Sequence, residues 1–368
     1  MSFDWYDKEW KDYRGNLTWL RERTIFVTRH GSHAYGTNIE GSDEDFKGIC
    51  IAPMNYYLGN LHHFEQADKG FGDSDACIYD IKKFFKLAAD CNPNIIEVLH
   101  TDQSDWIYPR EQDRNYRIAG MWKHPEVRAF DKIYANRDLF LSKKAKFTFS
   151  GYAFAQLKRI KSHRHWLLNP MEKQPDRKYY GLPDAPTLDR DQLNAIASEV
   201  DKLADKLGGE GFTRDRVEDK DQELVEQVAK KHELSANLIT TIVNERRFRN
   251  AMANWHQYQT WKSQRNEKRA AMEAKYGYDT KHAMHLVRLM RMATEILDGK
   301  GVIVKRPDAQ ELLAIRNGAW KFDDLMYWAE DMEADLDNKY MDSTLRHDPD
   351  RQAIDDLLID VIDGHRGR

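Results

Sequence analysis

Between Val27 and Pro53 the chain reads VTRHGSHAYGTNIEGSDEDFKGICIAP, a stretch dense in groups that handle phosphate and metal. A β-type run ends at Thr28, the backbone turns through Gly31-Ser32, and Asp43-Glu44-Asp45 opens a second β-type run. On a strand, Asp43 and Asp45 project from one face ~7 Å apart and Glu44 from the other. Two carboxylates so placed can bridge a pair of divalent cations, and hard oxygen ligands suit magnesium that also binds substrate phosphates. Gly31 lets backbone N–H groups approach a phosphate, and the Ser32 hydroxyl with the following helix N-terminus can hold terminal phosphates. A two-metal site needs a third acid. The run DSDACIYDIKKFF offers Asp75 on one strand face, with Cys77 and Tyr79, and Asp80 on the other. Strand, phosphate turn and carboxylate strand together describe nucleotidyl transfer. The plain alternative is a loop whose acids cap turns.

Cations to match a triphosphate occur later. Lys281, His285 and Arg288 fall at i, i+4 and i+7, one stripe of an otherwise apolar helix. They are expected across the cleft from Gly31-Ser32, with Lys281 or Arg288 reaching a phosphate. Lys158, Lys161 and His165, with Arg159, form a second basic face that a solvated helix explains as well. Asn92-Pro93-Asn94 reads as a helix stop and a capped new start, and Glu97 is its member expected nearest the cleft. His62-His63 and His163-x-His165 lack the accompanying ligands of a zinc site, so no metal is expected there.

Gly31-Ser32, Tyr35-Gly36-Thr37 and Ser42-Asp43-Glu44-Asp45 resemble the signature of the DNA polymerase β nucleotidyltransferase superfamily. More narrowly, the chain resembles predicted bacterial and phage nucleotidyltransferases, some encoded beside RNA ligases. The likeness continues through Asp75, Tyr79, Lys83-Phe84, Asn92-Pro93-Asn94, Glu97, Tyr278-Asp279, Lys281, Met284-His285 and Arg288-Leu289. It implies an α+β fold, a small mixed-sheet catalytic domain followed by a mostly helical one. It also implies transfer of a nucleoside monophosphate from an NTP, ATP first, to a hydroxyl with release of pyrophosphate. Asp43, Asp45 and Asp75 would hold two Mg2+, with Mn2+ as the alternative, because the family pattern puts its acid at Asp75 and a Ser at Asp80. Asp80 is then a helix N-cap. Gly31, Ser32, Tyr35, Gly36 and the stripe Lys281, His285 and Arg288 would hold the nucleotide. The preferred acceptor is RNA, with a tRNA 3′ end as one form. Protein nucleotidylation, a small-molecule acceptor or a noncatalytic regulatory partner are the other readings.

The elements that must position these groups divide by texture. Short β-type runs, TIFVT, FKGICIA and ACIY, fill Thr24 to about His100, and nearly everything after Ala129 reads as helix. The expected domains are 1–128, catalytic, and 129–368, helical, with a charged insertion near 209–270. The segment QSDWIYPREQDR near their boundary reads as a loop or linker. KGVIVKR at 300–306 reads as a short hairpin or edge strand. Trp10, Tyr13, Leu17 and Leu20 suggest an amphipathic helix, and LNAIASEVDKLADKL and ELVEQVAKK further helices.

A chain of 368 residues with 57 Lys+Arg, 61 Asp+Glu and 41% hydrophobic residues is of globular type and needs no staple. Its net charge of −4 predicts no phosphate-coating surface, leaving a local basic groove to carry any nucleic-acid contact. Cys50, Cys77 and Cys91 form no C-x-x-C pair, which fits a reduced, cytoplasmic setting. No run approaches the ~18 apolar residues of a membrane span, so no membrane partner is expected.

Overall fold

The computed structural model describes residues 17–71, 74–109, 117–118, 121–122, 125–186, 191, 198 and 236–365. The expected elements at Trp10 and Tyr13, at 193–207 and across 209–235 lie outside these residues.

Five strands form the sheet: β1 (Thr24–His30), β2 (Glu44–Cys50), β3 (Gln66–Phe71), β4 (Ser74–Asp80) and β5 (Trp106–Tyr108), in the order β3-β4-β2-β1-β5. β2 and β4 run parallel while the other neighbours are antiparallel, so the sheet is mixed. A five-residue helix, α1 (Gly31–Tyr35), follows β1 directly, and α2 (Asn55–Leu58) follows β2. Asp80 closes β4 and starts α3 (Ile81–Ala89) by accepting the Lys82 N–H. Asn92 likewise caps α4 (Pro93–Leu99), where proline at the first turn sacrifices no helical donor.

Alternation along the strands separates two apolar layers. Val27, Phe46, Cys50, Ala67, Ala76 and Ile78 bury one face with Leu20. Phe26 and Ile49 point the other way, into the main core. That core is built from α3, α4, α5 (Pro125–Ala135), α6 (Lys144–Leu168), α9 (Thr280–Leu297), α10 (Ala309–Arg316), α11 (Phe322–Asp342) and α12 (Arg351–Asp363). Phe130 of α5 stacks on Phe26 of β1 with centroids 3.8 Å apart. Met284, Val287 and Met290 of α9 join the same interior, so the helical half and the sheet bury one another.

Three expectations are revised by this packing. The compact units are Met1–Arg164 with Met272–Arg368, and His165–Ala271; no division falls at 128. The reason is the shared core: α5, from beyond that boundary, packs on β1 beside α3 on β2, and α9 joins the same interior. The segment expected as a linker contains β5, whose Trp106 and Tyr108 register with Thr28 and Val27, and Pro109 lies just beyond it. Three consecutive β-forming residues, Trp106-Ile107-Tyr108, outweigh the polar flanks. Residues 300–306 form neither hairpin nor strand. Val304 instead packs on Ala34 and Tyr35, and the Arg306 N–H donates to the Tyr35 carbonyl.

The second unit contains α7 (Ala236–Ser263) and the first residues of α8 (Glu267–Tyr276). Arg177 is paired with Glu245 there, and the Trp166 indole donates to Asn254. Among the described residues no helix is long and apolar enough to cross a membrane.

Candidate active site

The site grows from one row across the sheet. His30 lies opposite Asp45 in the β1–β2 pair, and Asp45 opposite Asp75 in the β2–β4 pair. Laterally paired residues project to the same side, so the row shares the face of the main core, at the rim where β1 ends and β2 and β4 begin. Asp43 precedes β2 by one residue and is exposed, as is Asp75, whereas Asp45 is half-buried. Glu44 points to the opposite face and pairs with Arg29 at 3.4 Å. Burial first, then the charges of Asp75 and Asp43, raise the Asp45 pKa, while Lys47 and Lys281 pull it down. Asp45 therefore senses two other acids and two cations, one contributed by its own strand and one by α9.

Gly31 makes this approach possible. Its φ is +66°, a left-handed conformation that side chains disfavour, and a Cβ there would lie 2.3 Å from Asp45 Oδ2. The turn and the carboxylate are in contact because this position carries no side chain. Ser32 follows, half-buried, with its carbonyl accepting the Thr37 N–H at 2.9 Å. Gly36 ends α1 in the same left-handed region.

Beneath the row lies a sealed polar knot. The Tyr35 hydroxyl donates to Glu97 Oε2 at 2.5 Å, and Arg288 Nη1 donates to Glu97 Oε1 at 2.5 Å. The Arg288 guanidinium lies 3.7 Å above the Tyr35 ring, and His30 Nε2 is 3.4 Å from Glu97. Burial acts to raise the Glu97 pKa, but Arg288, His30 and Tyr35 outweigh it and hold the carboxyl well below its usual range. Burial and the neighbouring Lys47 push His30 down to about 4, so it is neutral near pH 7. Tyr35, Glu97 and Arg288 are 4%, 1% and 5% exposed.

That burial separates the expected stripe. Lys281 acts on Asp45. His285 is pushed down to about 3 by burial, then by Arg288 and Lys281, and is therefore an uncharged imidazole. Arg288 is committed to Glu97 and Tyr35 rather than exposed at the rim, and Tyr35 and Glu97 face the same knot. Asp80 projects away from Asp75 and accepts from the Tyr57 hydroxyl at 2.5 Å as well as from Lys82 N. Lys158, Arg159, Lys161 and His165 lie on the exposed surface.

Sequence reasoning passed over Lys47 and His30. Lys47 is two residues from Asp45 on β2 and so shares its face; burial first lowers its pKa, with Glu97, Cys77 and Asp45 supporting the charged form. The parity that selected Asp75 also selects Lys47. The signal was present, but a lone strand lysine has no motif to mark it.

Residues 16–167 match the family described as RlaP, the RNA repair pathway DNA polymerase β family. Those residues span every strand of the sheet, the Gly31 turn and the three acids. The chain is also 38% identical over 87 residues to an uncharacterized 38.9 kDa protein in the nrdC-mobD intergenic region of Enterobacteria phage T4. That likeness covers 22% of this chain and 26% of the phage protein. No solved structure matches the chain.

Proposed function

From a sheet half that matches a polymerase-β-type RNA repair family, we propose that the protein transfers a nucleoside monophosphate from an NTP, ATP first, to a hydroxyl of RNA, with release of pyrophosphate. The observation that carries this reading is the row Asp45–Asp75, with the Gly31 turn against Asp45 Oδ2. Nucleotidyl transfer needs carboxylates beside a phosphate-binding turn, and here they touch.

Asp43, Asp45 and Asp75 are the residues that would hold Mg2+, with Mn2+ as the alternative. The fit rests on Asp45: burial and two neighbouring carboxylates raise its affinity for protons, and the same crowding favours a divalent cation. Bound there, the metal would supply charge neutralisation for the triphosphate and a lower pKa at the attacking hydroxyl. The chain's own groups do the rest. Gly31 and Ser32 offer backbone N–H groups and a hydroxyl to the β- and γ-phosphates. Lys47 and Lys281 flank the acids and complement phosphate charge left over after metal binding. Arg288, through Glu97 and Tyr35, holds α1 against α9, and so positions the turn without contacting the nucleotide.

The test is incubation with each labelled NTP and magnesium, offering RNA with a free 3′ hydroxyl, protein extract and small alcohols separately. Label at the RNA 3′ end is expected. Label in protein or in a small molecule moves the acceptor to that class. ATP binding without transfer to any acceptor overturns the enzymatic reading in favour of a regulatory binding module.

A further inference from the structure

Away from the carboxylate row, ligand-type side chains from three helical segments meet inside the first unit. His163 lies on α6, Glu273 on α8, Asp279 is the N-cap of α9, and His282 is in the first turn of α9. Ligand atoms of His163, Asp279 and His282 lie within 4.8 Å of one another. His163 Nδ1 is 4.0 Å from Asp279 Oδ2 and 3.8 Å from Glu273 Oε1, and His282 Nδ1 is 2.6 Å from Asp279 Oδ2. The four side chains are 18%, 4%, 3% and 13% exposed, so the donors are largely screened from water.

We propose that His163, Glu273, Asp279 and His282 form a binding site for one Zn2+, separate from the catalytic metals. Two imidazoles and two carboxylates are a donor set that zinc takes in tetrahedral sites and that magnesium, which prefers oxygen and retained water, does not. A tetrahedron with zinc–ligand bonds of about 2.0–2.2 Å has neighbouring donors about 3.4 Å apart. Three of the six donor separations, 2.6, 3.8 and 4.0 Å, straddle that value, so binding would open the Asp279–His282 contact, draw His163 closer to Asp279, and swing in Glu273, which meets the cluster through His163. Asp279 can do this without leaving its cap, because Oδ1 accepts the His282 N–H at 3.0 Å while Oδ2 faces the cluster. Neither the histidine pair His163-x-His165 nor any one segment reveals the set, since its members come from α6, α8 and the start of α9.

The site's position gives it a task. His163 and Glu273 stand one residue inside the points where the first unit ends, at Arg164, and resumes, at Met272. Zinc there would tie those two crossings to the N-terminus of α9, two residues before Lys281. The role is structural: all four donors belong to the protein, and the site lies off the row that carries Asp45.

The experiment uses the full chain, stripped with EDTA and titrated with ZnCl2 against a chromophoric chelator. A variant carrying Asp45→Asn and Asp75→Asn removes competing acids and should still bind one equivalent. His163→Ala and His282→Ala should each weaken binding by about 100-fold or more, as expected for loss of a direct ligand. CoCl2 should give the intense visible bands of a four-coordinate ion in the stripped wild-type chain, which decides the question even where a variant misfolds. Failure to bind zinc saturably, or a six-coordinate cobalt spectrum, would overturn the site. So would folded histidine variants, matched to wild type by circular dichroism, that keep wild-type zinc affinity. Neither outcome touches the nucleotidyl-transfer reading, which rests on other residues.

Discussion

Two clusters of charge sit on one face of the sheet and answer the same problem in opposite ways. At the rim, Asp43, Asp45 and Asp75 crowd together, and Asp45 is pushed toward its protonated form by burial and by its neighbours. Below it, Glu97 is far more deeply buried yet held firmly ionised by Arg288, Tyr35 and His30. The buried acid is stabilised by partners the fold supplies, whereas the rim acids are arranged so that an added cation would relieve them. A charged residue in a cleft therefore cannot be assigned by type alone. What separates ligand from scaffold is whether the fold has already matched its charge.

That contrast is sharpest in the response to single substitutions. Asp45→Asn and Asp75→Asn should each lower transfer by roughly 10⁴-fold or more, since the proposed two-metal chemistry would supply several kcal/mol of barrier reduction. Initial rates with labelled ATP and RNA check this, and turnover near wild type in either variant breaks the rim assignment. Arg288→Met should instead cost about 3–5 kcal/mol of stability, the penalty for leaving a buried carboxylate unpaired, read from urea unfolding. The double variant Arg288→Met, Glu97→Met should recover much of that loss. A stable Arg288→Met with impaired nucleotide binding would move Arg288 from the knot to the cleft.

The lysines come next. Lys47→Met or Lys281→Met should weaken nucleotide binding by about 1.5–3 kcal/mol, the range for a charge-assisted hydrogen bond, with the fold retained. Asp80→Ser keeps a capping oxygen but removes the acceptor of the Tyr57 O–H, which still accepts from Ala52 N–H; about 1–2 kcal/mol of stability should go, and transfer should persist. The smallest effect concerns pH. A carboxyl whose folded pKa is raised makes the folded state bind protons more tightly, so its destabilising contribution appears as pH rises from its ordinary 3.8 through the folded value. Metal-free Asp45→Asn should thus melt slightly higher than wild type at neutral pH, and the advantage should vanish below pH 3.8. Equal melting curves at both pH values would mean the rim acids do not feel one another.

Much of the rim was legible because strand parity is local. Alternation alone predicts that Asp75 shares a face with Cys77 and Tyr79, away from Asp80, and an Asp before a helical run reads as a cap. The knot was not legible: Glu97 and Arg288 are 191 positions apart, and helical spacing groups Arg288 with Lys281 without saying how deep each sits. Spacing gives direction around an axis, while burial depends on what the rest of the chain lays over it. The same limit hid β5, whose short β-forming run is completed as a strand by the edge of β1, and the zinc ligands, which meet only once α6, α8 and α9 are assembled.

The hold that the last third of the chain has on α1 bears on synthesis. Arg306 N–H grips the Tyr35 carbonyl, and Arg288 supplies the charge that lets Glu97 stay buried. A polypeptide emerging from the ribosome completes all five strands long before either arginine exists. Until then Glu97 has no guanidinium, and α1 is held by Tyr35 and Glu97 without the Arg306 contact at its last carbonyl. A fragment stopped at residue 167 would carry every acid of the rim and still lack the brace that aims the turn at them. The brace on α1 thus arrives late, with translation of the C-terminal helices.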